Sequence, residues 1–294
     1  MKILQGLDGL KQLPPGLALS VGNFDGVHRG HLHILQLARE LNEGSKGAGV
    51  GVVTFEPHPL TVLTPEIAPP RLTPVSTKRE LLEQAGVNYL VELPPAREVL
   101  GLSAEAFWEI LRDRVRATHM IEGSTFNFGK DRRGTIGRLG EWCAQSTVKL
   151  HIAESVTVPL LNLSIVPVNS SLIRWLLGHG RVRDAAICLG RAYALEGEVI
   201  EGHHRGRSIG VPTANVNVLD QMIPLDGVYS GRCEVDGTMY AAAISIGTTP
   251  TFGEERFQVE VHLIGFEGDL YGKSIRVEFI DWLREQRKFL GVDM

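Results

Sequence analysis

The densest chemistry in the sequence lies in one run, Gly22-Asn23-Phe24-Asp25-Gly26-Val27-His28-Arg29-Gly30-His31, between a short apolar run (Leu17–Gly22) and a helical pattern (Leu32–Leu41). Glycines let a backbone approach a ligand closely, and the free N–H groups at a helix start favour an anion. His28 and His31 are three apart, so on a helical turn they share one face, from which two imidazoles can donate hydrogen bonds to phosphate oxygens. The plainer alternative is a glycine-rich turn with surface histidines. The run lacks G-x-G-x-x-G and is no dinucleotide fingerprint; Gly47-Ala48-Gly49-Val50-Gly51 precedes a strand instead of following one. Gly268–Ser274 misses the P-loop spacing by one residue and continues as an alternating strand, so it is rejected.

Five further segments carry candidates. Gly202–Asn215 is basic and glycine-rich, and fits a phosphate-cradling loop through Gly206 and Arg207. Thr213 and Asn215 at its end offer neutral oxygens, suited to a Mg²⁺ that keeps its waters and phosphates. His203-His204 has no further ligand at metal spacing. Glu260 and His262 share one face of a strand, opposite Val259, Val261 and Leu263; the plain reading is a solvent face. In Asn169-Ser170-Ser171, with Arg174 three residues on, Ser170 or Ser171 is a helix N-cap, or the hydroxyls and Arg174 form a phosphate site. Phe126 and Phe128, near Lys130, Arg132 and Arg133, either stack on a planar ring beside a phosphate or plug the core. Val53–Pro59 ends a strand at two prolines, as a terminating turn or a strand-end loop.

The elements that must hold these residues alternate in the first half. Strand patterns at Leu17–Gly22, Gly51–Phe55, Val87–Leu93, His119–Glu122 and Val148–Ala153 are separated by helical patterns at Leu32–Leu41, Thr77–Ala85, Ser103–Val115 and Leu139–Gln145, with Ser103 an expected N-cap. That alternation predicts a parallel sheet with helices on both faces, an α/β fold binding ligands at the carboxyl ends of its strands. Two short helices follow, Ser171–Leu177 and Val182–Leu189. Beyond Gly190 come strands at Tyr193–Ile200, Gly227–Val235, Met239–Ile246, Gln258–Ile264 and Ser274–Phe279, with Asp236-Gly237 a hairpin signal. These predict a small barrel or sandwich. The pattern changes near Gly180–Arg191, giving expected domains at 1–180 and 181–294.

Composition bounds the classes. With 294 residues, 43% hydrophobic, and a net charge of −4, the chain suits two globular domains and not a disordered one. The charge balance weighs against a dedicated nucleic-acid or membrane-surface binder. Cys143, Cys188 and Cys233 are odd in number and far apart, which points to a reducing compartment. With no apolar leader region and no membrane-length apolar run, a cytoplasmic protein is expected.

Together the segments resemble the bacterial bifunctional riboflavin kinase/FMN adenylyltransferase family, in order along nearly the whole chain. HRGH (28–31) is similar to the H-x-G-H motif of nucleotidyltransferases, and NSSLIR (169–174) to the family's second nucleotide motif. VTFEPHP (53–59), RLTP (71–74), LSAEAF (102–107) and FNFG (126–129) fall where the family has similar stretches. LGRAYALEGEVIEG (189–202), GRSIGVPTAN (206–215), DGVY (226–229), IGTTPTF (246–252), EVHL (260–263) and DLYG (269–272) resemble its kinase module. Thr125, Asn169, Leu172 and Ser245 depart from the residues usual at those places.

The resemblance implies a Rossmann-like nucleotidyltransferase domain followed by a small antiparallel β-barrel kinase domain. It implies phosphorylation of riboflavin to FMN by ATP, then adenylylation of FMN to FAD, with Mg²⁺ accompanying ATP; riboflavin, FMN and ATP would be the partners. Glu260 would be the kinase base, with Gly206 and Arg207 on ATP and Thr213 and Asn215 on the metal. His28 and His31 would serve adenylyl transfer, with Gly22, Asn23, Phe24, Asp25, Gly30, Ser170, Ser171 and Arg174 binding ATP. Thr125, Phe126 and Phe128 would contact the flavin. The alternatives are a kinase whose adenylyltransferase half has drifted, or a flavin sensor without turnover.

Overall fold

The computed structural model describes residues 1–45, 47–201, 213–249 and 254–286. The chain divides into two compact units: Met1–Pro69 with Val75–Thr157, and Pro70–Pro74 with Val158–Met294.

The first unit is built on a six-stranded parallel sheet of β1 (Lys2–Gln5), β2 (Ala18–Val21), β3 (Val50–Phe55), β4 (Tyr89–Leu93), β5 (His119–Gly123) and β6 (Lys149–Ala153), in the order β1-β4-β3-β2-β5-β6. β2 is buried along its whole length, as expected of a central parallel strand covered on both faces. Successive residues serve opposite cores. Ala18, Val50, Val52 and Leu90 pack with Leu35 and Ala38 of α1 (Arg29–Ser45) and Leu82 of α2 (Val75–Gln84). Leu19, Val21, Val53 and Val91 pack with Phe107 and Trp108 of α3 (Ala104–Glu109) and Leu139 of α4 (Ile136–Ala144). The sheet with helices on both faces is therefore as the alternation predicts. Ser103 caps α3 by accepting from the Ala106 N–H at 3.1 Å. The helix expected through Val115 instead widens into a π-turn over Ile110–Val115. Edge strand β1 has only Leu4 buried, which is why its pattern does not announce a strand.

From β2 the chain moves outward to β3 and β4 on one side, then returns to β5 and β6 on the other. The strand order thus reverses between β2 and β5, the place where such sheets open a ligand crevice at their carboxyl ends.

The second unit contains α5 (Ser170–Gly178), α6 (Val182–Leu189) and a closed antiparallel barrel: β7 (Tyr193–Ile200), β8 (Ala214–Val218), β9 (Gly227–Val235), β10 (Thr238–Thr249), β11 (Glu254–Leu263) and β12 (Ser274–Arg284), in the order β7-β8-β11-β10-β9-β12. Alternate residues fill the interior, among them Leu195, Tyr229, Ile244, Val261 and Phe279. Asp236 and Gly237, at φ 49° and 79°, close the β9–β10 hairpin, a primed turn that matches strand twist. Cys143, Cys188 and Cys233 are free and buried.

Candidate active sites

At the strand-order reversal, β2 and β5 pair only through Ala18 with His119 and Leu19 with Met120, and beyond that they part. The turn that follows β2 is pinned at its start. The Gly22 N–H donates to the Val53 carbonyl at 3.0 Å, and the Thr54 hydroxyl donates to the Asn23 carbonyl at 3.0 Å. Glu56, at the end of the 53–59 segment, pairs with the buried Lys78 ammonium at 2.6 Å. Phe24, Gly26 and Val27 all take left-handed backbone, at φ 49°, 86° and 36°. For β-branched Val27 this costs on the order of 1–3 kcal/mol. Its fully buried side chain, with that of Phe24, holds the strained path.

The turn delivers His28 to the residue before α1, and there it is buried. Its Nδ1 accepts the His31 N–H at 3.3 Å, the contact an N-cap makes to the third residue of its helix. A neutral ring accepting at Nδ1 carries its proton on Nε2, which is then a donor. The His28 and His31 rings stack with centroids 3.7 Å apart and planes 14° apart, so the two imidazoles stand together beside the N-terminus of a helix. This is a donor cluster suited to an anion, more ordered than a pair of surface histidines.

After β5, Thr125 is exposed, and half-buried Phe126 stacks on Phe128 at 5.3 Å. Phe128 is buried against Phe107 and Trp142, at 6.0 and 6.1 Å, so packing accounts for it and Phe126 is the ring nearer solvent. One residue of this crevice is not singled out by the sequence pattern. Glu122 on β5 is buried, and its Oε1 accepts the Val21 N–H at 2.8 Å. The available signal is a lone acid directly after apolar Met120 and Ile121 in a strand run.

In the second unit, the expected serine cap of α5 is corrected. Asn169 is the N-cap, its side chain accepting the Leu172 N–H at 2.8 Å, so Ser170 and Ser171 open the helix itself. Asn at this place has the reach and the acceptor the cap needs. The Arg174 Nε donates to the Pro70 carbonyl at 2.7 Å, in the same unit.

On the barrel, the faces of three strands converge. Glu260 of β11 lies directly opposite Asn215 of β8 on one side and Ser245 of β10 on the other. Val259, Val261, Ile244, Ile246, Ala214 and Val216 alternate with them and are buried, so Asn215, Glu260 and Ser245 form a polar row on the barrel's outer face. The row is extended by the Gln286 amide, whose Nε2 donates to the Ser245 Oγ at 3.0 Å. The Oδ1 of Asn215 is buried and has no hydrogen-bond partner among the described residues. A neutral oxygen left this way beside a carboxylate, with Thr213 two residues earlier, fits a hard divalent cation. Among the described residues no cluster of three or more His, Cys, Asp or Glu could hold a metal. Gly206 and Arg207 lie outside the described residues.

Residues 10–164 match the FAD synthetase family and residues 189–294 the riboflavin kinase family. The chain belongs to the bifunctional riboflavin kinase/FMN adenylyltransferase family. It is 34% identical over 295 residues to the enzyme of that name from Pseudomonas fluorescens, covering 100% of this chain and 93% of the relative. It is likewise 34% identical to that of Bacillus subtilis, covering 93% and 86%. A Streptococcus pneumoniae crystal structure described as a macrolide-efflux protein superposes with a TM-score of 0.86 at 27% identity, covering 100% of this chain and 94% of that one. The chain is therefore a two-step enzyme of flavin cofactor synthesis: ATP phosphorylates riboflavin to FMN, and a second ATP adenylylates FMN to FAD with release of pyrophosphate. Both families use ATP, and such enzymes generally need a divalent metal. No described helix is long and apolar enough to cross a membrane.

Proposed function

We propose that riboflavin is phosphorylated on the outer face of the barrel and FMN is adenylylated in the crevice of the parallel sheet, with Mg²⁺ as the divalent ion. In the kinase reaction Glu260 accepts the proton of the riboflavin 5′-hydroxyl as that oxygen attacks the γ-phosphorus of ATP and the bond to ADP breaks. Thr213 and Asn215 would hold Mg²⁺, which when bound offsets charge on the phosphates. Gly206 and Arg207 would cradle the triphosphate. The rest of the acceleration comes from position, because the flat row of Asn215, Glu260 and Ser245 sets the base against a fixed backbone ladder.

In adenylyl transfer the FMN phosphate is already a nucleophile. Its oxygen attacks the α-phosphorus of ATP, and pyrophosphate leaves without a covalent enzyme intermediate. His28 and His31, with the N–H groups that open α1, stabilise the negative charge that grows on the α-phosphate and the leaving group. The backbone of Gly22, Asn23, Phe24, Asp25 and Gly30 lines the ATP path. Ser170, Ser171 and Arg174, which belong to the second unit, are separate candidates for ATP contact. Thr125 and Phe126 meet the flavin, with Phe128 fixing Phe126 from behind. The three free, buried cysteines support a reducing compartment, and so a cytoplasmic site of action.

The observation that carries the kinase assignment is the buried Asn215 Oδ1, which has no hydrogen-bond partner among the described residues, beside Glu260. Mg²⁺ titration of FMN formation tests it. Thr213→Ala combined with Asn215→Ala should shift the half-saturating Mg²⁺ upward, and an unchanged Mg²⁺ curve would remove these residues from the metal site.

A further inference from the structure

Where β2 and β5 part, a ladder hydrogen bond is missing and a side chain replaces it. Val21 is the last residue of β2, and its N–H goes to the Glu122 carboxyl at 2.8 Å. Gly22, the next residue, begins the turn that carries His28 and His31. Glu122 itself is fixed in β5, where it pairs in register with Ile152 of β6. Its side chain is 2% exposed, and burial pushes its carboxyl well above the usual carboxylate range. The Val21 N–H pulls the other way and is the lesser effect. A neutral carboxylic acid keeps an acceptor oxygen for Val21 and still holds an O–H to donate.

The setting makes the charge state matter. β2 carries no titratable residue. The turn and the start of α1 carry Asp25, His28, Arg29, His31 and His33; β6 carries Lys149 and His151; and β5 itself carries His119. An ionised Glu122 would set a buried negative charge at the strand ends where two phosphate-bearing substrates must meet.

We propose that Glu122 is a positioning residue for adenylyl transfer: its buried side chain accepts the Val21 N–H and so holds the end of β2, and through it the His28–His31 turn. This rests on the reading of His28 and His31 as the adenylyl-transfer site. Glu122→Gln keeps the acceptor and removes the ionisable group, so it separates a positioning side chain from a catalytic carboxylate.

The test uses the full chain, with FAD formation from added FMN and riboflavin phosphorylation measured on the same preparations. Glu122→Ala should lower kcat for FAD formation by about ten-fold or more, the scale of a lost buried hydrogen bond, while riboflavin phosphorylation continues. Glu122→Gln should recover most of that loss, because its amide oxygen accepts the Val21 N–H. In the unsubstituted enzyme FAD formation should fall on the alkaline side as Glu122 ionises, and Glu122→Gln should lack that limb. A purely structural role would not move the limb. The proposal is overturned if Glu122→Ala matches the unsubstituted enzyme, if Glu122→Gln is as slow as Glu122→Ala, or if the alkaline limb survives in Glu122→Gln. Should Glu122→Ala not fold, the pH profile of Glu122→Gln decides alone. His28→Ala serves as the control: if it leaves FAD formation intact, the reading of the crevice has failed, whatever Glu122 does.

Discussion

Replacing Glu260 by Gln removes a proton acceptor and nearly preserves the shape of the side chain. The side chain is half-buried on the outer face of β11, and Gln has nearly the same volume. The backbone registers that tie β11 to Asn215 and Ser245 do not involve the carboxylate. The stability change should be about 1 kcal/mol, the usual scale of a single substitution. The amide cannot accept the proton of the riboflavin 5′-hydroxyl. Loss of a general base costs about 10²–10⁴ in rate, which is roughly 2.7–5.5 kcal/mol of barrier. The sheet that carries His28 and His31 belongs to the other compact unit. FAD formation from added FMN should hence persist at near its usual rate. The assay is chromatography of flavins after reaction with Mg-ATP, once from riboflavin and once from FMN. Near-normal riboflavin phosphorylation in Glu260→Gln would refute the base assignment. Parallel loss of both activities, with a lowered melting temperature, would show instead that the residue holds the fold.

His28→Ala and His31→Ala should each slow FAD formation by about 10²–10³, the usual effect of removing one donor to a developing charge, with riboflavin phosphorylation intact in the same assay. Thr125→Asn should lower KM for FMN more than KM for ATP, since it supplies a longer polar side chain next to Phe126 in the sequence; steady-state kinetics with each substrate varied would show no such preference if Thr125 is remote from the flavin. The His119 Nδ1 and His151 Nε2 lie 2.9 Å apart, and burial holds both imidazoles below the ordinary histidine range. The unfolded chain therefore binds more protons near its ordinary pKa of about 6.5, so this pair's contribution is fully present above that pH and is lost as pH falls toward the folded values. Thermal unfolding between about pH 7.5 and 5 should show a steeper decline than in His119→Phe; equal slopes would contradict the linkage.

Local pattern made some of this legible and topology hid the rest. The alternating apolar runs and helical spacings of residues 17–153 sufficed for a parallel sheet with helices on both faces, because central parallel strands such as β2 and β3 are apolar throughout. The same period-two rule placed Glu260 and His262 on one face. It could not say that Asn215 and Ser245 flank Glu260, since that depends on the strand order β8-β11-β10, which brings residues 45 and 15 positions from the base onto either side of it. The serine cap expected for α5 was displaced by Asn169 because either residue type can serve and only the backbone path decides. Phe128 was ambiguous for a related reason: an aromatic in a loop is equally a stacking platform and a plug, and its burial against Phe107 and Trp142 supplies the packing role. Glu122 escaped notice because an acid at a strand end usually meets solvent, whereas here β2 and β5 separate just where it stands.

Two successive ATP-dependent steps on one chain should be visible in a single time course of products. Purified protein with riboflavin, Mg-ATP and chromatographic detection should show riboflavin falling, FMN rising first, and FAD following with one pyrophosphate released for each FAD formed. Steady accumulation of FMN with no FAD or pyrophosphate, even when FMN is supplied in excess, would contradict the account and leave a kinase alone.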